Sequence, residues 1–387
     1  MREDASLSIA QDLMVQFTRL TGLVGEGAPR RYLWTDAFAV CNFLELYQET
    51  GEENYQDLAL RLVDQVHRTL GRHREDDPRT GWISGLGEQE GERHPTKGGL
   101  RIGKELPERA PDEPFDQRLE WERDGQYYHY LTRWMHALNR IGQVTGDATY
   151  NRWAIELAET AHEAFTYRPS SGGQKRMVWK MSIDLSYPLV PSMGQHDPLD
   201  GLVTYEELQA AAPKRSGWPD LGAEIEEMRR ICEGRQWSTD DALGIGGLLA
   251  DAYRLAQLTT RANLEQRVLL RDLLDASLRS LWRYARKNSL EQPLSFRLAF
   301  RELGLAIGLE AIERLGRTLN EHPGDLSDLD ALRARVEELM AYFPFRETIE
   351  AFWLEDVHRK TESWTAHRDI NMVMLATSLM PESYLSV

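Results

Sequence analysis

The feature that most constrains this chain is a repeated helical hairpin. Two segments, which begin at Leu44 and Leu138, share a threonine, a glycine and a tyrosine at matching positions: Thr50, Gly51 and Tyr55 in the first, Thr145, Gly146 and Tyr150 in the second. In both, an apolar helical stretch ends near the glycine and a more amphipathic helical stretch follows at once. So short a connection makes the two helices antiparallel neighbours, which predicts a series of αα-hairpins.

Six such hairpins can be counted along the sequence. Their first helices are predicted at 34–48, 124–143, 198–212, 239–258, 293–317 and 364–379. Their partners are predicted at 6–22, 53–71, 147–165, 217–233, 262–286 and 327–341. The first helices include runs that are apolar around most of the circumference, so both faces should be buried, whereas the partners are amphipathic. Buried inner helices that alternate with amphipathic outer ones predict an all-α fold, the (α/α)6 barrel. Glycines within the runs 242–250 and 304–309 predict close helix–helix approach.

Residues 1–387 are predicted to form one barrel domain with two lid-like insertions, at 72–123 and 166–197. The first insertion has seven glycines between Gly81 and Gly103. The second contains the partly alternating stretch 176–184, which predicts a short β-hairpin or an extended loop. Both insertions precede inner helices and should therefore lie at the same end of the barrel. Long insertions in compact domains commonly form lids or binding loops.

Composition excludes several classes of partner. The net charge of −16, from 62 acidic and 46 basic residues, argues against nucleic-acid binding. No apolar stretch is long enough to predict a membrane span, and the N-terminus has no secretory leader pattern, so a cytoplasmic protein is expected. Cys41 and Cys232 have neither disulfide nor metal spacing, and no zinc motif of the HExxH type is present. We expect no metal and no cofactor, and the oligomeric state stays open.

Tryptophan and aspartate recur together where the predicted inner helices begin. The pairs are Trp34 with Asp36, Trp121 with Asp124, Trp237 with Asp240, and Trp364 with Asp369. Because all inner helices of such a barrel run in the same direction, these residues should collect around one opening. Aspartates at helix starts are commonly N-caps. The accompanying tryptophans favour a binding site instead, since their flat faces stack on the apolar faces of sugar rings.

Asp197 and Asp200 form the strongest local cluster, together with His196. Two carboxylates three residues apart at a helix start lie on the same side, and their repulsion favours the protonated form of one, as a general acid requires. The alternative is an N-cap with a second carboxylate at the positive end of the helix dipole.

A second cluster lies between the first insertion and the inner helix that follows it. Glu120 and Asp124 should border the opening, and Tyr128 and His129 could donate hydrogen bonds to hydroxyl groups, or the tyrosine could pack the barrel wall. Further along, His367 could pair with His196 across the barrel and relay a proton, or either histidine could be structural.

The chain resembles the six-hairpin glycosidase superfamily, which includes inverting glycoside hydrolases and the N-acylglucosamine 2-epimerase group. The resemblance covers nearly the whole chain and rests on the hairpin periodicity, the Trp–Asp helix starts and the eleven tryptophans. The segment from Trp364 to His367 is similar to the Trp-and-His segment of the last inner helix in the epimerase group. The resemblance implies a small carbohydrate substrate in the mouth formed by the inner-helix N-termini and their preceding loops.

Three functions are compatible with these residues. The leading hypothesis is an inverting glycoside hydrolase, with Asp197 or Asp200 as the acid and Asp36, Glu120 or Asp124 as the base. The second is a cofactor-independent sugar epimerase or isomerase that uses His196 and His367. The third is a carbohydrate-binding or scaffold barrel without catalysis. The predicted substrate-binding side chains are Trp34, Trp121, Tyr128, His129, Trp179, Lys180, Trp237, Asp240, Trp364 and Asp369.

Overall fold

The computed structural model describes residues 2–25, 27–262, 267–321 and 329–387, and most of its regular structure is helical. As far as residue 233 the helices are α1 (Arg2–Leu20), α2 (Leu33–Thr50), α3 (Glu53–Leu70), α4 (Glu88–Arg93), α5 (Gln117–Glu122), α6 (Tyr128–Thr145), α7 (Ala148–Phe165), α8 (Asp197–Ala211) and α9 (Gly222–Cys232). Beyond it they are α10 (Ala242–Ala262), α11 (Arg267–Arg286), α12 (Ala299–Glu321), α13 (Leu329–Met340), α14 (Pro344–Leu354), α15 (Asp356–Arg359), α16 (Glu362–Thr365), α17 (Arg368–Leu379) and α18 (Glu382–Leu385). Among these residues, no helix is at once long and apolar enough to cross a membrane.

All twelve predicted helices are present, with shifted ends. The last three inner helices begin three to six residues later than predicted, at Ala242, Ala299 and Arg368. The predicted starts of two outer helices, near 262 and 327, adjoin or fall on residues outside the described ranges. Helix α14 was missed, although Pro344 stands at its first turn and Trp353 is buried in it. Helix α14 begins four residues after α13 ends, too closely for sequence periodicity to separate the two helices.

The glycine stops predicted for the first two hairpins are confirmed. Gly51 and Gly146 end α2 and α6 with φ angles of 70° and 73°, the left-handed conformation that glycine adopts without strain. Helix α7 then begins at once, because the side chain of Asp147 caps it by accepting a hydrogen bond from the Thr149 amide at 2.9 Å. Capping and glycine termination therefore make the short hairpin connection.

The chain divides into two compact units. Unit I comprises Thr18–Tyr47 and Gly51–Glu233, and unit II comprises Met1–Phe17, Gln48–Thr50 and Gly234–Val387. The single-domain organisation expected for 1–387 stays a prediction, as does the gathering of all six inner-helix starts around one opening.

In unit I, helix α6 packs against α7 and α8, and α8 packs against α9. Helix α8 is buried at every position from Asp197 to Leu208, whereas α3 buries only one face, as expected for inner and outer helices. Five short strands accompany the helices: β1 (Gln126–Tyr127), β2 (Thr166–Tyr167), β3 (Arg176–Met177), β4 (Lys180–Met181) and β5 (Pro188–Val190). They form an antiparallel sheet in the order β1-β4-β5 and the pair β2-β3, so the predicted extended structure within 176–184 is confirmed.

The 72–123 insertion is partly built into the core of unit I. Leu100 and Ile102 are fully buried. The amide of Arg101 bonds to the Leu70 carbonyl at 2.9 Å, and the Ile102 carbonyl accepts from the Leu33 amide at 3.0 Å. These bonds join residues 100–102 to the end of α3 and the start of α2. This part of the insertion is a fixed wall, and a lid role for the remainder stays a prediction.

In unit II, helices α10 and α12 cross in close contact through glycines, as the sequence predicts. A Cβ atom on Gly308 would lie 2.5 Å from the carbonyl oxygen of Gly246, and a Cβ atom on Gly246 would collide with the backbone of Gly304. Side chains at these positions would therefore force the helices apart.

We expect Gly246→Ala to lower the free energy of unfolding by about 1–3 kcal/mol, because the added methyl overpacks the crossing. Gly247→Ala is the matched control: it changes the neighbouring residue of the same helix, where an added Cβ atom would meet nothing within 4 Å. The control should stabilise the protein by about 0.5–1 kcal/mol through helix propensity alone. Urea denaturation of the two variants measures the contrast, and equal effects would contradict the close crossing.

Candidate functional site

Unit I carries a partly exposed cluster of aromatic rings at the start of α6. We call Trp121, Tyr127, His129 and Trp179 the aromatic shelf. The ring centroids of Trp121 and Trp179 are 5.1 Å apart with a 32° interplanar angle, and His129 stacks on Trp179 at 6.4 Å and 30°. Trp121 is 51% exposed, whereas Tyr127 is buried beneath its neighbours. The shelf thus offers indole and imidazole surface to solvent on a buried base.

Strand pairing brings the two insertions together at this shelf. Tyr127 pairs with Lys180 in the β1–β4 ladder, and the amide of Tyr128 donates to the carbonyl of Trp179 at 3.1 Å. Ser192 then fixes the Trp179 indole, since its Oγ accepts from Nε1 at 2.9 Å and its carbonyl accepts from the Trp179 amide at 3.1 Å. Residues distant in sequence are therefore held in one wall.

Asp197 begins α8 beside the shelf and is only 5% exposed. Its Oδ1 lies 3.6 Å from Nδ1 of His129, whose side chain is about one-third exposed. Within the described residues, its buried Oδ2 has no hydrogen-bond partner. A buried carboxylate oxygen without a partner is costly, which is typical of a functional group rather than of a helix cap.

Asp200 lies one turn further along α8 and is also buried. Its Oδ1 accepts a hydrogen bond from Nη2 of Arg133, on α6, at 3.1 Å. Asp197 and Asp200 therefore have different partners, an imidazole and a guanidinium. The predicted pair of carboxylates is present at one helix start, but with unequal surroundings.

Glu120 is held in a buried network. Its carboxylate accepts from Nε of Arg109 at 3.0 Å and lies 2.8 Å from Nζ of Lys180. Lys180 is fully buried, and its ammonium also donates to the carbonyls of Glu120 at 2.6 Å and Arg123 at 3.0 Å. Burial lowers the pKa of Lys180, and the hydrogen bond to Glu120 opposes this effect. Both side chains are bound to other protein groups below the shelf, so they are suited to supporting the shelf rather than to contacting a sugar.

Two further carboxylates predicted as bases are bound within the protein. Asp124 is completely buried and accepts from Nη1 of Arg101 at 2.6 Å and from the amide of Gly103 at 3.0 Å. Asp36 accepts from the Tyr32 amide at 2.9 Å at the start of α2. These contacts hold both aspartates in structural roles, and both side chains are buried away from solvent.

The remaining predicted residues of unit I divide by exposure. Tyr128 is fully buried and donates to the Tyr205 hydroxyl at 2.9 Å, so it packs the wall, one of the two roles considered for it. Trp34 is 7% exposed and packs on Phe38. His196 is half-buried at the N-terminal boundary of α8. Of the predicted residues in unit I, only Trp121, His129, Trp179 and His196 present appreciable surface.

Five predicted residues lie in unit II. Trp237 and Trp364 are 4% and 3% exposed, so their ring faces are covered. Asp240 is bound by Nζ of Lys287 and Nε of Arg283, each at 2.7 Å, and these cations lower its pKa, Lys287 more than Arg283. His367 is exposed and contacts Phe300 edge-on, and Asp369 is half-buried. Because His196 and His367 belong to different units, their pairing stays a prediction.

Several residues of the site were not predicted. Tyr127 forms the base of the shelf, and the hydroxyls of Tyr32 and Tyr130 are 2.7 Å apart behind it. Burial raises the pKa of Tyr32 to about 12, so this phenol stays protonated at neutral pH. The run of aromatic residues 127–130 is a sequence signal that could have indicated Tyr127. The sequence does not indicate the contact of Arg133 with Asp200, because the two residues are 67 positions apart.

Gly194 shapes the position of the Asp197 carboxylate. A Cβ atom at Gly194 would lie 2.5 Å from Cγ and 2.6 Å from Oδ1 of Asp197. We therefore expect Gly194→Ala to displace the carboxylate and to slow any reaction in which Asp197 takes part by about 100-fold, since small misplacements of a reacting group carry penalties of this size. Gly87→Ala is the control, because an added Cβ atom there meets nothing within 4 Å. Turnover and thermal unfolding, measured together, would contradict this role if both variants kept full activity.

No known family profile matches the sequence, and no curated protein matches it. Structural similarity is found instead. An inactive variant of an α-1,6-mannanase from Salegentibacter sp. HEL1_6, solved with α-1,6-mannotriose, superposes with a TM-score of 0.51 at 13% identity and covers 98% of this chain and 99% of its own. The mannanase itself gives 0.50 with the same identity and coverage. A sugar epimerase from a ruminal bacterium gives 0.47 at 11% identity, over 88% of this chain and 87% of its own.

The likeness to the mannanase establishes the fold. The chain shares the all-α fold of the mannanase, so the predicted fold class, six helical hairpins in an (α/α)6 arrangement, is confirmed.

Proposed function

We propose that this chain is a carbohydrate-active enzyme that hydrolyses a small glycoside at the aromatic shelf of unit I. The observation that carries the proposal is Asp197, a buried carboxylate with one unpartnered oxygen beside stacked, partly exposed rings. The fold it shares with a mannanase is consistent with this class, although a fold alone does not define chemistry.

In this proposal Asp197 is the general acid and Asp200 is the base. Among the described residues Asp197 forms no ion pair with an arginine or a lysine, so it can take up a proton and deliver it to the leaving oxygen. The ion pair with Arg133 keeps Asp200 as a carboxylate, which can activate a water molecule. Asp36, Glu120 and Asp124 are the alternative bases, and Asp200 is preferred because it lies one helical turn from Asp197 on α8.

Inversion is the expected stereochemical outcome. Inverting enzymes hold their two carboxyl groups about 6.5–9.5 Å apart, which leaves room for a water molecule. Asp197 lies against His129 and Asp200 is bound to Arg133, and inversion requires that the two carboxyl groups work at this separation. On the shelf, Trp121 and Trp179 would stack on the sugar and His129 would hydrogen-bond to its hydroxyl groups.

Proton NMR in D2O tests the proposal. The protein is incubated with pooled disaccharides, glycosylglycerates and free aldoses and ketoses. New anomeric signals from a released sugar would support hydrolysis, and the first anomer to appear would report inversion or retention. If no substrate in the panel is cleaved while other glycosidases cleave it under the same conditions, the hydrolase proposal fails.

A sugar epimerase or isomerase is the second candidate, and one contact favours it. The 3.6 Å approach of His129 Nδ1 to Asp197 Oδ1 is a carboxylate–imidazole pair that could move a proton on and off the carbon next to a carbonyl. In the same NMR experiment, exchange of that proton for deuterium without cleavage would favour this reaction over hydrolysis.

A further inference from the structure

Helix α11 of unit II carries a stripe of arginines around an exposed tryptophan. Arg279, Trp282 and Arg286 are three or four residues apart, so they share one face of the helix, and Arg283 follows Trp282 at the edge of this face. Trp282 is 53% exposed, and the guanidinium of Arg286 lies 4.7 Å from its ring centroid. The indole therefore presents a flat, partly exposed surface with a guanidinium group against it.

The stripe borders a groove of about 620 Å³ between α11 and the end of α13. Leu278, Ala341 and the rings of Trp282 and Tyr342 supply most of its surface, and the charged side chains of Arg279 and Glu338 lie at it. This volume falls within the range of small-molecule sites, about 300–1,000 Å³, which are largely apolar with a few polar groups. We call it the α11 groove.

The charges at the α11 groove are not balanced. Arg283 is bound to Asp240 at 2.7 Å, and Glu338 is bound to Arg335 at 2.7 Å. Arg279 and Arg286, by contrast, form no ion pair with any described residue, and the one hydrogen bond of Arg279 runs from Nε to Ser238 Oγ at 3.3 Å. Two uncompensated guanidinium groups therefore stand beside an apolar groove in a chain of net charge −16.

We propose that the α11 groove binds a small planar organic anion. Its ring would lie against Trp282 and Tyr342, and its carboxylate or equivalent group would pair with the free guanidinium nitrogens of Arg279. Arginine recognises such groups through two parallel hydrogen bonds, and it stacks on flat rings as Arg286 does on Trp282. A neutral sugar fits less well, because it has no negative charge to pair with Arg279. The site shares no residue with the shelf, so it stands independently of the proposed function.

The probe for this site is 2-naphthoate, titrated into the full chain. Binding is followed by tryptophan fluorescence and by line broadening of the naphthoate NMR signals. We expect saturable binding that weakens about tenfold in Arg279→Gln and in Trp282→Leu, and about tenfold when the neutral 2-naphthylmethanol replaces the anion. Both side chains are exposed, so circular dichroism and thermal unfolding of the two variants should match the parent protein.

Trp218→Leu is the matched control. Trp218 belongs to unit I and also lies under arginines, with Arg152 at 4.8 Å and Arg215 at 4.4 Å from its ring, but it does not line the α11 groove. This variant should bind 2-naphthoate as the parent does. The proposal is overturned by absence of saturable binding up to about 1 mM, by equal affinity for the neutral alcohol, or by loss of binding in Trp218→Leu but not in Trp282→Leu.

Discussion

Replacing Asp197 with asparagine should lower turnover of the cleaved glycoside by about 10³-fold while leaving the fold intact. General acid catalysis contributes about 10²–10⁴-fold, and asparagine has the size of aspartate but cannot deliver a proton. Thermal unfolding should change little, because Oδ2 of Asp197 has no partner among the described residues and the contact of Oδ1 with His129 is long, at 3.6 Å. A large loss of activity without a loss of stability would distinguish a catalytic aspartate from a structural one.

The control for this experiment is Asp116→Asn. Asp116 caps α5 in the same unit by accepting from the Leu119 amide at 2.8 Å, and asparagine caps helices about as well as aspartate does. Its kcat and unfolding temperature should equal those of the parent. The assignment of Asp197 would be abandoned if Asp197→Asn turned over substrate at the rate of Asp116→Asn.

Lys180→Met should lower the free energy of unfolding by about 3–5 kcal/mol, the loss found when one partner of a buried ion pair is removed. The substitution leaves one oxygen of the buried Glu120 without its ammonium partner and removes the donor to two backbone carbonyls. It also removes a cation 5.3 Å from the Tyr127 ring, so the rings of the aromatic shelf should be held less firmly in place. Urea denaturation at neutral pH measures the effect.

Lys175→Met is the matched control, because Lys175 pairs with Glu227 in a partly exposed ion pair. Such pairs contribute at most about 1 kcal/mol, so this variant should be far less destabilised. Comparing Glu120→Gln, Lys180→Met and the double variant measures how strongly the two side chains are coupled, because Arg109 stays bound to Glu120 when Lys180 is replaced. If Lys180→Met kept full stability and raised only KM, Lys180 would be a substrate contact, as the sequence suggested, and not the support of the shelf.

Local sequence signals determined the helices and their order. Gly51 and Gly146 end their helices because glycine adopts a positive φ without strain, and the apolar run 304–309 of α12 requires burial on all sides. These are effects of backbone conformation and hydrophobic periodicity over a few turns, so they can be read without knowing the fold. The close crossing of α10 and α12 was also visible, as glycines in otherwise apolar helices.

The tertiary structure decided which polar residues are available for chemistry. Glu120, Asp124 and Asp197 look alike in sequence, because each is a carboxylate near a predicted helix start. Their difference lies in partners that the sequence does not bring near: Lys180 is 60 residues from Glu120, and Arg101 is 23 from Asp124. Long-range ion pairing engages two of these carboxylates and leaves Asp197 beside the shelf. Whether a carboxylate is available for chemistry depends on the cations that pair with it, and the tertiary structure determines which cations lie near.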